Sequence, residues 1–207
     1  MTEARSRYSA PLQVLLMIGI IAATIVLGFF MMPDTSEERD RLLGELGTTN
    51  HGTFLVPVRD LAELPLRDGS GAAVNWREGK PKWRLLIPAG TDCLAECDEV
   101  LYSTRQVHVR LGKYSQRLER VLIATQGPLD PDLSARLETE HAFVKVWFAD
   151  GESFANWLRG TNAGWRQGQG LALLVDPAGV AMMVYDVRHL GNDMLEDINH
   201  LMKYSPE

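Results

Sequence analysis

Apolar residues in this chain fall into one long block followed by a series of short ones. The long block, Val14 to Met32 (VLLMIGIIAATIVLGFFMM), holds one hydroxyl, Thr24, and no charge. At about 1.5 Å of rise per residue it spans roughly 28 Å, close to the hydrocarbon thickness of a bilayer. It is longer than the apolar region of a signal peptide, about 7–15 residues, and Phe29-Phe30-Met31-Met32-Pro33 offers no small-residue cleavage site. The pattern predicts an uncleaved membrane anchor; a buried core helix is the alternative. Thr35 to Thr49 is polar, with Leu42, Leu43 and Leu46 at helical spacing, and reads as a short helix or linker.

The short blocks alternate in period. Gly52–Val58 predicts a strand, at a sheet edge because Pro57 lacks a donor. Arg67–Gly71 is a turn. Trp83–Ile87 predicts a buried strand. From Ala95 to Leu118, apolar residues recur at steps of three or four and predict a helix with a weak point at Gly112. Val121–Thr125 and Phe143–Phe148 read as strands, Asp132–Glu140 and Glu152–Leu158 as helices. Leu171–Val175 and Val180–Tyr185 flank Asp176-Pro177-Ala178-Gly179 and predict a hairpin. Asn192–Lys203 forms the last helix. Such alternation indicates an α/β domain whose sheet has helices on both faces. The predicted organisation is a cytoplasmic tail over 1–13, a transmembrane helix over 14–32, a linker or short helix over 33–50 and one domain over 51–207.

Charge adds direction. Arg5 and Arg7 precede the apolar block; Asp34, Glu37 and Glu38 follow it, with Arg39 and Arg41 a little farther on, so the basic bias is small and by the positive-inside rule puts the N-terminus in the cytoplasm and the head in a periplasm-like space. The chain has a net charge of -6. Residues 1–32 carry only Glu3, Arg5 and Arg7 as charges, so the remainder is more acidic still. An acidic head excludes broad binding to nucleic-acid phosphates and to anionic lipid surfaces. The 207 residues contain 2 cysteines, which excludes a disulfide-dense scaffold, an all-cysteine zinc site and a conventional iron–sulfur cluster. Gly164–Gly170 lacks the Lys-Ser/Thr pair of a phosphate loop, and reads as a lip over the cysteines or an ordinary loop.

The chemistry gathers at Cys93 and Cys97. They follow the Trp83–Ile87 strand and open the next helix, and strand ends are where sites collect in layered α/β proteins. Four residues apart on a helix, the two would share a face. Unpaired N–H groups of a first helical turn stabilise a thiolate, which makes Cys93 the expected nucleophile, more exposed and more reactive, and Cys97 its resolving partner. Asp92, Glu96, Asp98 and Glu99 oppose thiolate formation. A close pair outside the cytoplasm can cycle between dithiol and disulfide, or hold Cu(I) through two thiolates. A static disulfide or two core thiols are the alternatives. Of the five histidines, His189 is the metal-ligand candidate. If the 171–175 strand begins beside the cysteine loop, its antiparallel partner returns toward the same end, and His189 follows it. A surface or capping role is the alternative for His189. At least one of Met182 and Met183 belongs in the core.

With these elements in place, the chain resembles the Sco/SenC family of membrane-anchored, thioredoxin-like cytochrome oxidase assembly proteins. The resemblance rests on the three-residue gap between Cys93 and Cys97, the Leu174–Gly179 turn, the Asp193–Ile198 helix segment and the layout from anchor to last helix. It implies a thioredoxin-like fold and a membrane-tethered factor acting by thiol–disulfide exchange on the copper site of a respiratory oxidase subunit. It also implies a bacterial inner-membrane, periplasm-facing location. Cu(I) carriage, or non-catalytic scaffolding of oxidase subunits, are the other implied roles. Cys93 and Cys97 are the carried-over thiols. The family's prolines after each cysteine are replaced by Leu94 and Asp98, and the position of its copper-binding histidine falls near Gly168, with no histidine there.

Overall fold

The computed structural model describes residues 10–30 and 50–205. The described residues form two separate units, one on either side of Thr48. The first is helix α1, Ala10–Phe30. Its window Leu12–Phe29 has a mean hydropathy of 2.5 and no buried residue, so it is long and apolar enough to cross a membrane. Thr24 Oγ1 donates to the Ile21 carbonyl at 2.8 Å, which satisfies its hydroxyl inside the helix. The 1–9 tail, Met31, Met32 and most of the expected linker lie outside the described residues.

The second unit is a six-stranded mixed sheet. In chain order its elements are β1 (Thr53–Asp60), β2 (Trp83–Ala89), α2 (Ala95–Arg110), β3 (Leu118–Ala124), α3 (Pro131–Glu140), β4 (Val144–Phe148), α4 (Gly151–Trp157), β5 (Leu171–Val175), β6 (Val180–Asp186) and α5 (Asn192–Tyr204). The strand order is β1-β6-β5-β2-β3-β4. β2, β3 and β4 are parallel because α2 and α3 carry the chain back between them, whereas the Asp176–Gly179 turn makes β5 and β6 antiparallel. Pro57 does lie in an edge strand. The outward groups of β1 are met by Asn162, which accepts from Val56 N and donates to the Phe54 and Val56 carbonyls.

Alternate residues of the central strands feed two cores. Leu85, Ile87, Leu122 and Leu174 face Val100, Leu101, Leu133 and Ile198 of α2, α3 and α5. Leu86, Val121, Ile123 and Leu173 face Phe154 and Trp157 of α4 and also Leu61, Trp76 and Trp165. The second face is therefore covered by one short helix and irregular chain, not by a full helical layer. The helix expected to reach Leu118 ends at Arg110. Gly112, at φ +53°, turns the chain into a 3-10 segment, Gly112–Arg117, and β3 begins at Leu118. A left-handed residue cannot continue an α-helix, and Gly adopts that conformation without a Cβ penalty.

Buried polar groups are paired within this frame. Glu119 accepts from Arg84 Nε at 3.1 Å and from Lys145 Nζ at 2.6 Å. Arg120 lies under α2, donating to Thr104 Oγ1 and the Leu101 carbonyl. Burial, then the charge of Arg105, brings its guanidinium down to about 10. Asp197 of α5 accepts from His51 N, Gly52 N and the Tyr185 hydroxyl, which fastens the approach to β1 onto the last helix.

Candidate functional site

β2 is buried along its whole length, and its C-terminal end delivers the chain into the loop Gly90–Leu94. The loop is pinned from below. Thr125, just past β3, bonds the Ala89 carbonyl through both its N–H, at 2.9 Å, and its hydroxyl, at 2.7 Å. Asp130 N donates to the Thr91 carbonyl at 2.8 Å. Cys93 and Cys97 are joined as a disulfide with Cα atoms 5.1 Å apart.

The local geometry differs from two adjacent turns of one helix. Cys93 precedes the helix, Leu94 is the N-cap, and Cys97 is the third helical residue. Cys93 has φ +47°, the one non-glycine residue with positive φ among those described. A Cβ in that region is sterically disfavoured by about 1 kcal/mol or more, so the surrounding bonds hold this residue in place. The expectation that Cys93 is the more exposed thiol is corrected: Cys93 is 4% and Cys97 5% exposed, both inside the α2-side core. The cause is the left-handed turn at Cys93, which directs its side chain inward while Leu94, 64% exposed, projects outward. Leu94 supplies no side-chain cap, so no side chain takes up the first N–H groups of α2 at the cap.

A second loop closes on the first. Gly170 N donates to Glu96 Oε2 at 2.8 Å. A Cβ at Gly170 would lie 2.6 Å from the Glu96 carbonyl oxygen, so only glycine permits this approach. Gln167 Oε1 accepts from the Thr125 hydroxyl at 3.3 Å, and the Gln167 amide nitrogen lies 2.8 Å from where a Gly90 Cβ would stand, with Gln126 Oε1 3.0 Å from it. Thus Trp165–Gly170 lies against the cysteine loop, and Gln167 stands one residue from the position where the family's histidine was expected. Sequence reading missed Thr125, Gln126 and Gln167 because a lone Thr or Gln carries no spacing signal.

The histidines are elsewhere. β5 begins beside the cysteine helix, as the Gly170–Glu96 bond attests, and β6 returns to that end, Leu171 pairing with Asp186. Yet His189 Nδ1 lies 3.3 Å from Asp193 Oδ2. Asn192, three residues on, is tied to Arg110 in the last turn of α2, away from the cysteines. His51 meets Glu196 at 3.2 Å, His108 the Ser115 carbonyl, His141 Arg120, and His200 packs on Tyr204. Among the described residues no group of three or more His, Cys, Asp or Glu is arranged to hold a metal ion. The disulfide offers a soft cation no thiolate; the reduced pair would offer two. Met183 is fully buried, as one of the two methionines had to be.

Residues 83–205 match the family model described as the transmembrane-like, thioredoxin-like, C-terminal domain. The chain belongs to this transmembrane-like, thioredoxin-like family. Its α/β head is thioredoxin-like, as expected from the sequence. Solved structures agree on the fold. Yeast Sco1 is 16% identical, with a TM-score of 0.54 over 78% of this chain and 100% of that one. Copper-bound Arabidopsis thaliana ScoI is 14% identical, with a TM-score of 0.53 over 68% and 96%. BsSco, described as a Sco-family cytochrome c oxidase assembly protein with a disulfide switch, is 12% identical, with a TM-score of 0.54 over 72% and 96%. At these identities the likeness is one of fold. No curated protein matches the sequence.

Proposed function

We propose that this protein is a membrane-tethered assembly factor for a respiratory cytochrome c oxidase, acting by thiol–disulfide exchange on the subunit that carries the copper site. The tether is α1, in a bacterial inner membrane, with the head in the periplasm. The observation that carries the reading is the Cys93–Cys97 disulfide at a strand-to-helix junction, with Cys93 in a left-handed conformation. The disulfide switch described for BsSco supports the same assignment.

In the reduced state the Cys93 thiolate, next to the uncapped first turn of α2, attacks a sulfur of the partner's disulfide. A mixed disulfide forms and one partner thiolate leaves. Cys97 then attacks the Cys93 sulfur, releasing the second partner thiolate and restoring the Cys93–Cys97 bond. The partner gains two electrons, and an extracytoplasmic dithiol reductant resets the pair. Burial of both cysteines requires the chain packed around them to yield during the attack. Alkylation of the full-length protein across redox buffers tests the reading. A pair in equilibrium with the buffers, and partner reduction lost in Cys93→Ser, is the expected result. A pair that stays oxidised below about -300 mV is structural and overturns it.

Cu(I) carriage is a second reading, favoured by the two sulfurs held together at one loop–helix junction and by the copper bound to Arabidopsis ScoI. Here copper is cargo on two thiolates, and His189 contributes nothing unless its segment leaves Asp193. Cu(I) competition on the reduced protein, repeated with Cys93→Ser and His189→Ala, is expected to lose binding in the first variant and keep it in the second. Absence of binding in the parent removes copper carriage and leaves exchange standing.

A further inference from the structure

The chain from Ala89 to Leu94 is held at its carbonyls. Ala89 O accepts from Thr125, Thr91 O from Asp130 N at 2.8 Å, and Leu94 O from Cys97 N at 2.8 Å and Asp98 N at 3.1 Å. Of these bonds, one comes from a side chain. The Thr125 hydroxyl donates to Ala89 O at 2.7 Å, beside the bond at 2.9 Å from the N–H of the same residue. Thr125 is itself firmly placed. It is buried, and Ala124 before it pairs with both Ala89 and Phe148. Its carbonyl lies 2.9 Å from where a Gly151 Cβ would stand.

Cys93 lies two residues beyond Thr91 at φ +47°, a conformation that an L-residue leaves for negative φ unless it is held. In the oxidised protein two restraints act on it: the bond to Cys97 and the backbone bonds of the loop. In the dithiol only the loop bonds remain. The two thiols then stay adjacent only while the loop keeps its shape. Removing a loop bond costs the disulfide form in full, because that form has no other shape to adopt. The dithiol form relaxes and loses less, so the balance moves toward reduction.

We propose that Thr125 is a positioning residue, whose hydroxyl holds the reduced loop in the shape from which Cys93 and Cys97 close and so favours the disulfide. The role rests on the exchange reading, in which Cys97 must find the Cys93 sulfur to resolve a mixed disulfide. The test equilibrates detergent-solubilised full-length protein with dithiothreitol and its cyclic disulfide. The reagent gives two electrons and two protons to the Cys93–Cys97 bond, which breaks, and closes its own ring. Thr125→Val removes the hydroxyl but leaves Ala89 O the backbone N–H of residue 125. The equilibrium constant for reduction should rise about fivefold, or about 20 mV for a two-electron couple. Thr125→Ser should restore the parent constant. Hydrogen exchange at Asp130 N, whose acceptor is Thr91 O, should quicken in the Thr125→Val dithiol and stay unchanged in its disulfide. Should Thr125→Val fail to fold, Thr125→Ala carries the same test. A parent pair poised below about -300 mV overturns the exchange reading, on which the role depends, while the comparison of variants stays readable. An unchanged constant without the hydroxyl, no rescue by serine, or equal quickening at Asp130 in both redox states overturns the role of Thr125.

Discussion

One hydrogen atom at Gly170 sets how closely the second loop can approach the cysteines. Its missing Cβ faces Glu96 backbone and Cβ atoms at 2.6–2.8 Å, and backbone cannot rotate aside as a flexible side chain can. Gly170→Ala is expected to lower stability by about 1–3 kcal/mol, the usual range for overpacking a filled interior. Urea unfolding would read this as a lower midpoint at unchanged slope. An unchanged midpoint would mean that the Trp165–Gly170 loop is not held against α2 in solution. Cys93 presents the complementary case: a side chain sits where glycine is favoured, and the bonds to Ala89 and Thr91 hold it there.

At the level of elements, buried titratable groups tie α2, α3, β2, β3 and β4 together and make their packing sensitive to pH. Burial alone would raise the Glu119 carboxyl. The hydrogen bond and charge of Lys145, joined by Arg84 and Lys82, hold it below the ordinary range of 4.5. His108 and His141 are depressed below 6.5, chiefly by burial and then by the nearby charge of Arg120 at His141 and the same residue's smaller effect at His108. In all three the folded state binds protons less readily than the unfolded chain. Their stability contributions are present above the unfolded values and are lost as pH falls. Two acid steps are expected, one opening below about 6.5 from the histidines and one below about 4.5 from Glu119. Chemical unfolding from pH 8 to pH 3 would resolve them. His108→Asn with His141→Asn should remove the upper step and leave the lower. A profile flat between pH 7 and pH 5 would rule out the histidine contribution.

For the molecule as a whole, the issue is which side of a membrane the thiol site faces. Arg5 and Arg7 lie just before α1, with Arg39 and Arg41 farther beyond it, a small basic bias that predicts export of the head. Alkaline phosphatase fused after Glu207 should be active, and a green fluorescent protein in the same place dark. The reverse pattern would put the cysteines in a reducing cytoplasm, where a stable Cys93–Cys97 disulfide is disfavoured.

Local chemistry wrote much of this fold into the sequence. The Leu12–Phe29 window declares a membrane-length helix by apolarity alone. β5, β6 and their turn follow from two apolar runs about Asp176-Pro177-Ala178-Gly179, and Gly112 marks the place where α2 cannot run on. The cysteine pair was legible because strand, loop and helix follow one another along the chain. What depended on distant segments was not legible. Burial of Cys93 comes from a backbone angle fixed by Thr125 and Asp130, more than thirty residues away. The Gln167–Gly90 approach comes from a loop that the pairing of β5 with β2 brings beside the site. His189 shows the limit of topology: strand register returns it to the correct end, but side-chain bonds at Asp193 and Asn192 settle where it goes. Periodicity reports which face a residue occupies, since that is a property of consecutive residues. Contacts between faces, edges and loops belong to segments that meet only in the folded chain, and there the tertiary structure alone decides.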